Sequence, residues 1–241
     1  MNAPELTVIQ RVVLKHAGTL GLAPGARVLD APCGGAPALT LALLERGYQA
    51  IGADVDPEAE GHLGKAFAKV NLDSPLPWPD ASFDAAFSTE GIEHLENHFS
   101  FLREMCRILK PGGVLVLTTP NITALRSRVR FFGSGFFGRD SRPLNENSRH
   151  PLHHIGLATF PELRYELHMS GFQLMEVRHT HIKPISYVYA IYAPWMWLYT
   201  RIAFRKEKDA AQRKRNREIL AALYSPSVLF GECLMLTAKK I

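Results

Sequence analysis

The sequence predicts an α/β protein with a doubly wound, mostly parallel sheet. Short apolar runs alternate with helical patterns, and turns containing glycine or proline separate them. Two of the apolar runs end in a carboxylate, at Asp30 and Asp54. With 241 residues, 46% of them hydrophobic and 21% charged, the chain fits a single globular domain over residues 1–241.

The first half of the chain begins the alternation. A helix is expected over residues 5–20, because Pro24 and Gly25 break the pattern that follows it. A second helix, over 38–48, stops at Gly47. Strands are expected at 26–31, 49–55, 66–72 and 82–89.

The second half completes the sheet. A helix starts at His98 and stops at a Pro-Gly-Gly turn, which precedes a fifth strand at 114–120. Five strands joined by crossovers are typical of a doubly wound parallel sheet. A threonine-capped helix over 159–172 and strands at 172–182 and 231–241 close the chain, which makes seven strands.

Charge and cysteine usage narrow the class of protein. Cys33, Cys106 and Cys233 are far apart and form no CxxC pair, so we expect reduced thiols in a cytoplasm and no zinc site. The net charge of +5 resides in residues 205–217, which hold seven basic and two acidic residues. Because the remainder is neutral, no nucleic-acid partner is expected. No signal peptide is evident.

The chemistry is expected where the first strand ends. Gly34 and Gly35 form a tight turn there, although the segment does not match the GxGxxG nicotinamide pattern. Asp54 ends the second strand, where a carboxylate can accept both hydroxyls of a ribose. The two features together predict a nucleotide-like ligand.

Five segments in this order resemble the successive motifs of the class I S-adenosylmethionine-dependent methyltransferases. They are residues 28–40, 52–57, 71–84, 88–97 and 103–121. The resemblance implies a Rossmann-like, seven-stranded sheet whose last strand is antiparallel beside the fifth, and S-adenosyl-L-methionine as cofactor.

The resemblance also assigns cofactor contacts. Asp30 and the turn at Gly34 would hold the methionine portion, and Asp54 the ribose. Asn71 and Leu72 would border the adenine, and Glu90 the sulfonium end. The full set of expected cofactor residues is Asp30, Pro32, Cys33, Gly34, Asp54, Val55, Asn71, Leu72 and Glu90. Two of them depart from the family pattern, because Pro32 replaces its first glycine and Asn71 an aspartate found in many members.

Two histidines are candidate catalytic residues. In many family members a histidine before a helix such as 159–172 borders the substrate, so His154 is a candidate base for a hydroxyl proton. A loop histidine bonded to backbone remains the alternative. His94 either faces the substrate or braces the neighbouring helix. The group His150, His153 and His154 lacks HExxH spacing, so no metal site is predicted.

Residues 122–158 are expected to form a lid or substrate loop. Three arginines, at positions 126, 128 and 130, lie near three glycines, at positions 133, 135 and 138. They would bind phosphate or carboxylate groups, or they form an ordinary solvated helix face. Both interpretations remain open.

A second insertion, 183–228, separates the last two strands. Its segment Ile185–Phe204 has the length and hydropathy of a bilayer span. A single crossing is excluded, because it would separate two strands of one sheet, and Pro194 interrupts the segment. Two interpretations remain: a lid over a hydrophobic acceptor, or contact of residues 185–217 with an anionic membrane surface.

The sequence therefore predicts a cytoplasmic methyltransferase. If residues 185–217 contact a membrane, it is a peripheral protein of the inner membrane face. Parts of residues 119–172 also resemble bacterial methyltransferases of cell-envelope glycan or lipid-linked pathways. This resemblance, with the aromatic segment, implies as acceptor an oxygen of a bulky, partly apolar or lipid-linked molecule, such as a glycan or an aromatic metabolite. Alternatives are a nitrogen or carbon methyltransferase acting on a small molecule, and a module that binds the cofactor or a partner without turnover.

Overall fold

One seven-stranded sheet in the order β3-β2-β1-β4-β5-β7-β6 organises the chain. The computed structural model describes residues 4–137, 143–147 and 152–241. The strands are β1 (Arg27–Asp30), β2 (Gln49–Asp54), β3 (Phe67–Lys69), β4 (Phe83–Thr89), β5 (Leu109–Pro120), β6 (Phe172–His179) and β7 (Cys233–Lys240). Only β7 is antiparallel to its neighbours, β5 and β6. The predicted fold class is confirmed.

Helices connect and cover these strands. Within the described residues they are α1 (Val8–Ala17), α2 (Ala38–Glu45), α3 (Glu60–Leu63), α4 (His98–Ile108), α5 (Leu125–Ser134), α6 (Phe160–Met169), α7 (Ala193–Phe204), α8 (Ala210–Leu223) and α9 (Pro226–Phe230). Single 3₁₀ turns lie at Pro57–Ala59, Gly64–Ala66 and Ile92–His94, and a longer one at Pro184–Tyr192. The fifth strand starts earlier than predicted, because Leu109 already pairs with Phe83 of β4.

Two apolar layers bury the faces of the sheet. Successive residues of a strand point to opposite faces, so Val28 of β1 packs with one layer and Leu29 with the other. The Val28 layer contains Leu39 and Leu43 of α2. The Leu29 layer contains Phe101 of α4.

The topology brings the predicted ligand residues to one edge of the sheet. β1 pairs with β2 on one side and with β4 on the other, and all three strands are parallel. Their carboxyl ends, at Asp30, Asp54 and Thr89, therefore meet. Since the chain winds in opposite directions from β1 and β4, a crevice opens there, which is where open α/β sheets bind ligands.

The apolar segment between β6 and β7 does not form one long helix. It divides at Ala193 into the 3₁₀ turn Pro184–Tyr192 and α7, with Pro194 in the first turn of α7. None of the described helices combines the length and the apolar character needed to cross a bilayer.

Candidate active site

Asp54 joins the loops that follow β1 and β2. One carboxylate oxygen accepts a hydrogen bond from the Gly34 N–H at 2.8 Å, and the other from the Asp56 N–H at 3.0 Å. Gly34 has φ +69°, a conformation that glycine adopts without strain. Each carboxylate oxygen retains a second lone pair, so Asp54 can still accept hydrogen bonds from ligand hydroxyls.

Asp30 lies one strand away and is completely buried. Its Oδ2 accepts a hydrogen bond from the Thr40 hydroxyl at 2.7 Å, whereas Oδ1 has no partner among the described residues. Burial raises the pKa of Asp30 to about 7, and the neighbouring negative charge of Asp54 contributes in the same direction. A nearby cationic amine would offset this unfavourable burial, which fits the methionine end of the predicted cofactor.

The first loop packs directly on the loop that follows β4. A Cβ on Gly91 would lie 2.2 Å from Pro32 Cδ, so only glycine allows this approach. Cys33 is buried against Ala59 and Leu63, and burial raises the pKa of its thiol. The Cys33 side chain therefore points into the core, and its N–H donates to the Ala53 carbonyl at 3.0 Å, which leaves only its backbone carbonyl for a ligand.

Three further residues predicted to contact the cofactor, two of them at the adenine, follow two neighbouring strands. Val55 follows β2 and is 57% exposed, although its side chain is apolar. Leu72 is buried, and the exposed Asn71 accepts a hydrogen bond from the Asp73 N–H at 3.0 Å. An exposed valine beside Asp54 provides an apolar surface for the flat face of a base.

Glu90 occupies the turn after β4 with a left-handed backbone, φ +50°. Its N–H donates to the Thr118 hydroxyl at 3.1 Å, and the Cys233 thiol donates to its carboxylate at 3.7 Å. Burial raises the pKa of Glu90. Non-glycine residues in this conformation are strained and are enriched at functional sites.

The candidate catalytic histidines lie against each other. The His94 and His154 rings meet edge to face, with centroids 4.9 Å apart. His94 Nδ1 lies 3.1 Å from the His153 carbonyl oxygen, and the Gly156 N–H donates to the Glu93 carbonyl at 2.9 Å. Since a carbonyl only accepts, Nδ1 of neutral His94 carries the proton and Nε2 is the basic nitrogen.

Glu93 lies beside these two histidines. It does not cap the neighbouring helix α4, because Asn97 is the N-cap residue of that helix. Glu93 is 0% exposed, and neither carboxylate oxygen has a hydrogen-bond partner among the described residues. Burial raises its pKa to about 7. Its own backbone N–H and the Thr119 hydroxyl act in the opposite direction, although neither forms a regular hydrogen bond with the carboxylate. Ligand atoms of Glu93, His94 and His154 lie within 4.8 Å of one another.

Two of the arginines of the predicted lid have structural contacts. Arg126 forms an ion pair with Glu232 at 3.0 Å, and Lys183 forms another with the same carboxylate at 2.7 Å. Arg128 donates to the Thr123 carbonyl at 2.6 Å, and burial lowers its pKa. The ion pair of Arg126 with Glu232 ties the start of residues 122–158 to the segment before β7, whereas the Arg128–Thr123 bond is local. Gly138 and His150 lie outside the described residues.

Asn121 was not among the predicted site residues, yet it links the end of β5 to the segment before β7. Its side-chain amide donates to the carbonyls of Val228 and Gly231, both at 2.9 Å, and its oxygen accepts from the Thr123 N–H. An asparagine after an apolar run is a weak signal, because it also occurs in ordinary turns.

The insertion before β7 exposes an unusually apolar surface, which we call the aromatic face. Ile191 is 79% exposed and Trp195 68%. Its members are Ile185, Tyr187, Val188, Ile191, Tyr192, Trp195, Leu198, Tyr199 and Ile202, all more than 45% exposed. The seven basic residues of 205–217 are also exposed, and none forms an ion pair with another described residue.

Comparison with known proteins supports the sequence resemblance. Residues 29–117, a little over a third of the chain, match the family model of a methyltransferase domain. A Mycolicibacterium smegmatis protein described as a probable S-adenosylmethionine-dependent methyltransferase is 34% identical over 156 residues, 62% of this chain and 53% of that protein. The 27-O-demethylrifamycin SV methyltransferase of Amycolatopsis mediterranei is 29% identical over 143 residues, 52% of each chain.

The fold has close counterparts among solved structures. A SAM-dependent methyltransferase from Archaeoglobus fulgidus aligns with a TM-score of 0.58 over 96% of this chain and 94% of that one, at 19% identity. This likeness shows the fold alone. The chain spans about half the length of the curated relatives that it matches.

Proposed function

Because the chain belongs to the class I S-adenosylmethionine-dependent methyltransferase superfamily, we propose that it transfers a methyl group from S-adenosylmethionine to an oxygen of a bulky, partly apolar acceptor. The superfamily and its cofactor are as predicted. The observation that carries the proposal is the Asp54 carboxylate at the end of β2. It accepts a hydrogen bond from the Gly34 N–H, beside the crevice that opens between β1 and β4.

The residues around the crevice suit the separate parts of the cofactor. Asp54 offers lone pairs to the ribose hydroxyls, Val55 offers an apolar surface to the adenine, and Asp30 favours the amino group. Glu90 places a carboxylate near the sulfonium end. The bound cofactor supplies a methyl group on a good leaving group, so the chain needs mainly to align the acceptor and exclude water.

A hydroxyl acceptor must also lose a proton, which distinguishes oxygen from an unprotonated nitrogen. His94 lies in the 3₁₀ turn that follows β4 and Glu90, His154 packs against it, and His94 presents Nε2 as its basic nitrogen. This pair assists loss of the acceptor proton as the methyl group arrives. The relative that modifies 27-O-demethylrifamycin SV, by its name, is an oxygen methyltransferase, which favours the same chemistry.

The aromatic face favours a large apolar or lipid-linked acceptor. Monomeric proteins rarely expose contiguous apolar patches of this kind without a binding role. The exposed basic residues of 205–217 follow it directly in the chain, so this insertion would also attract an anionic membrane surface. We propose that the acceptor reaches the crevice past this face, with residues 122–158 and 183–228 bordering its path.

Two alternatives lead to different observations. A nitrogen or carbon methyltransferase would bind the cofactor equally well but would not depend on the histidine pair for a hydroxyl proton. A module without turnover would bind the cofactor and transfer nothing.

Calorimetric titration with S-adenosylmethionine tests the proposal. We expect one site per chain, and His154→Ala should retain it while slowing methyl transfer by roughly 100-fold, a typical contribution of acid–base assistance. His62→Ala, on α3, is the matched control. Absence of cofactor binding by the wild-type protein would remove the proposed function.

A further inference from the structure

We propose that Glu93, His94 and His154 form a binding site for a divalent transition-metal ion that holds the acceptor hydroxyl. The sequence did not indicate this site, because its members follow none of the usual ligand spacings. The role of the ion rests on the proposed methyl transfer, whereas its binding does not.

The first argument is the environment of Glu93. Its carboxylate is fully buried, and neither oxygen has a hydrogen-bond partner among the described residues. Burying an unpaired carboxylate is strongly unfavourable unless a cation or hydrogen-bond donors compensate. The carboxylate lies within 4.8 Å of ligand nitrogens of two histidines, which can complete a metal site.

The second argument is the orientation of His94. Metal-bound histidines usually donate their other ring N–H to a carbonyl or carboxylate, which fixes the tautomer. The His153 carbonyl lies 3.1 Å from Nδ1 and provides this support, so Nε2 is free to bind a metal. The Gly156 N–H to Glu93 carbonyl bond holds the segment that carries His154 against the turn that carries Glu93 and His94.

The ligand set indicates the class of ion. Two imidazoles and one carboxylate suit Zn²⁺, Fe²⁺, Co²⁺ or Mn²⁺ and leave further positions open. Ligands about 2.1 Å from one ion are at most about 4.2 Å apart. The three ligand atoms, all within 4.8 Å of one another, are close to this limit, and His154 is the exposed member that can adjust.

The position of the site gives the ion a function. The 3₁₀ turn Ile92–His94, which carries Glu93 and His94, begins two residues after Glu90, so the site adjoins the expected sulfonium end. With the ion bound, His94 and His154 act as its ligands instead of as bases, and a hydroxyl oxygen bound to the ion loses its proton to water more readily. The oxygen lone pair then forms the bond to the methyl carbon as the carbon–sulfur bond breaks, and sulfur leaves with that electron pair as a neutral thioether.

Cobalt binding tests the site without knowledge of the acceptor. After treatment with chelator, the full-length protein is titrated with Co²⁺ while its visible absorption is recorded, and Zn²⁺ is then added in competition. We expect one Co²⁺ per chain, displaced by Zn²⁺. Glu93→Gln, which preserves shape, and His154→Ala, at an exposed position, should each weaken binding by at least about 100-fold. His62→Ala should bind like wild type.

Two results would overturn the proposal: no saturable Co²⁺ spectrum, or equal binding by wild type and both site variants. Calorimetry with S-adenosylmethionine on the same samples separates this inference from the proposed function. Cofactor binding without a metal site removes only the inference, and a metal site without cofactor binding removes only the function.

Discussion

Replacing Asp54 by asparagine perturbs the residue on which the proposed cofactor site depends. The Asp54 carboxylate accepts from two backbone amides, at 2.8 and 3.0 Å, with one oxygen each. Asparagine has a single carbonyl oxygen, so its NH₂ group must face one of these amide donors. A hydrogen bond to a charged acceptor contributes about 1.5–3 kcal/mol, so Asp54→Asn should lower the free energy of unfolding by about 2 kcal/mol.

The effect on cofactor binding should be larger. Asparagine cannot accept hydrogen bonds from both ribose hydroxyls, so one bond is lost and the other loses its charge assistance. We expect a loss of about 2–4 kcal/mol, which corresponds to a roughly 30- to 1,000-fold weaker Kd for S-adenosylmethionine.

Calorimetry of the wild type, Asp54→Asn and Asp56→Asn measures this effect. Asp56 is the matched control, because it is exposed, only two residues away, and caps the turn Pro57–Ala59. Thermal unfolding establishes that each variant is folded at the assay temperature. A Kd for Asp54→Asn within threefold of wild type would refute the ribose role.

Three further predictions concern packing, pH and the basic segment. Gly91→Ala places a methyl group 2.2 Å from a proline ring, so urea denaturation should show a free energy of unfolding lower by about 1–3 kcal/mol. The control Gly61→Ala, with nothing within 4 Å of the added methyl group, should not be destabilised. Equal stabilities of the two variants would contradict the loop contact. Burial raises the pKa of Asp30 from 3.8 to about 7, so its contribution to stability is present below about pH 4 and is lost as pH rises through 7. Asp30→Asn should therefore gain about 2–4 kcal/mol over wild type at pH 8 and little at pH 4; parallel pH curves would reject this. Wild type should float with phosphatidylserine vesicles at low salt. Neutralising the four basic residues of 213–217 should abolish flotation, since each contributes about 1 kcal/mol to membrane binding. Unchanged flotation of this variant, or no flotation of wild type, would exclude the charge contribution.

The fold was predictable because local patterns and topology agree. The predicted apolar runs formed the early strands, which are three to seven residues long. Thr159 precedes the α6 helix and Gly171 follows it, as expected. The boundary of β5 was missed, because Leu109 gains a partner in Phe83 that only the assembled sheet provides. Local propensity does not report such pairing.

The site was predictable only where its residues belong to a local motif. Asp30, Gly34 and Asp54 end strands or form the adjoining turn, so their meeting follows from the parallel sheet. Glu93 and His154 are brought together by backbone contacts between distant segments, and their spacing in the sequence does not predict this proximity.

Arg126 illustrates the same limit on predicting function from charge. In sequence it is a basic residue of a glycine-rich segment, with anion binding as one expectation. In the structure its partner is Glu232, just before β7. The pairing depends on the position of β7 beside β5, which lies outside any local pattern.

Transfer of an isotopically labelled methyl group tests the central claim most directly. S-adenosylmethionine carrying a deuterated methyl group is incubated with the protein and with acceptor-containing lipid and polar extracts, and products are analysed by mass spectrometry. We expect a labelled product in which the methyl group is bound to oxygen, formed by wild type and greatly reduced with Asp54→Asn. Label recovered only on nitrogen or carbon would contradict oxygen transfer, and absence of any labelled product from a protein that binds the cofactor would contradict catalysis itself.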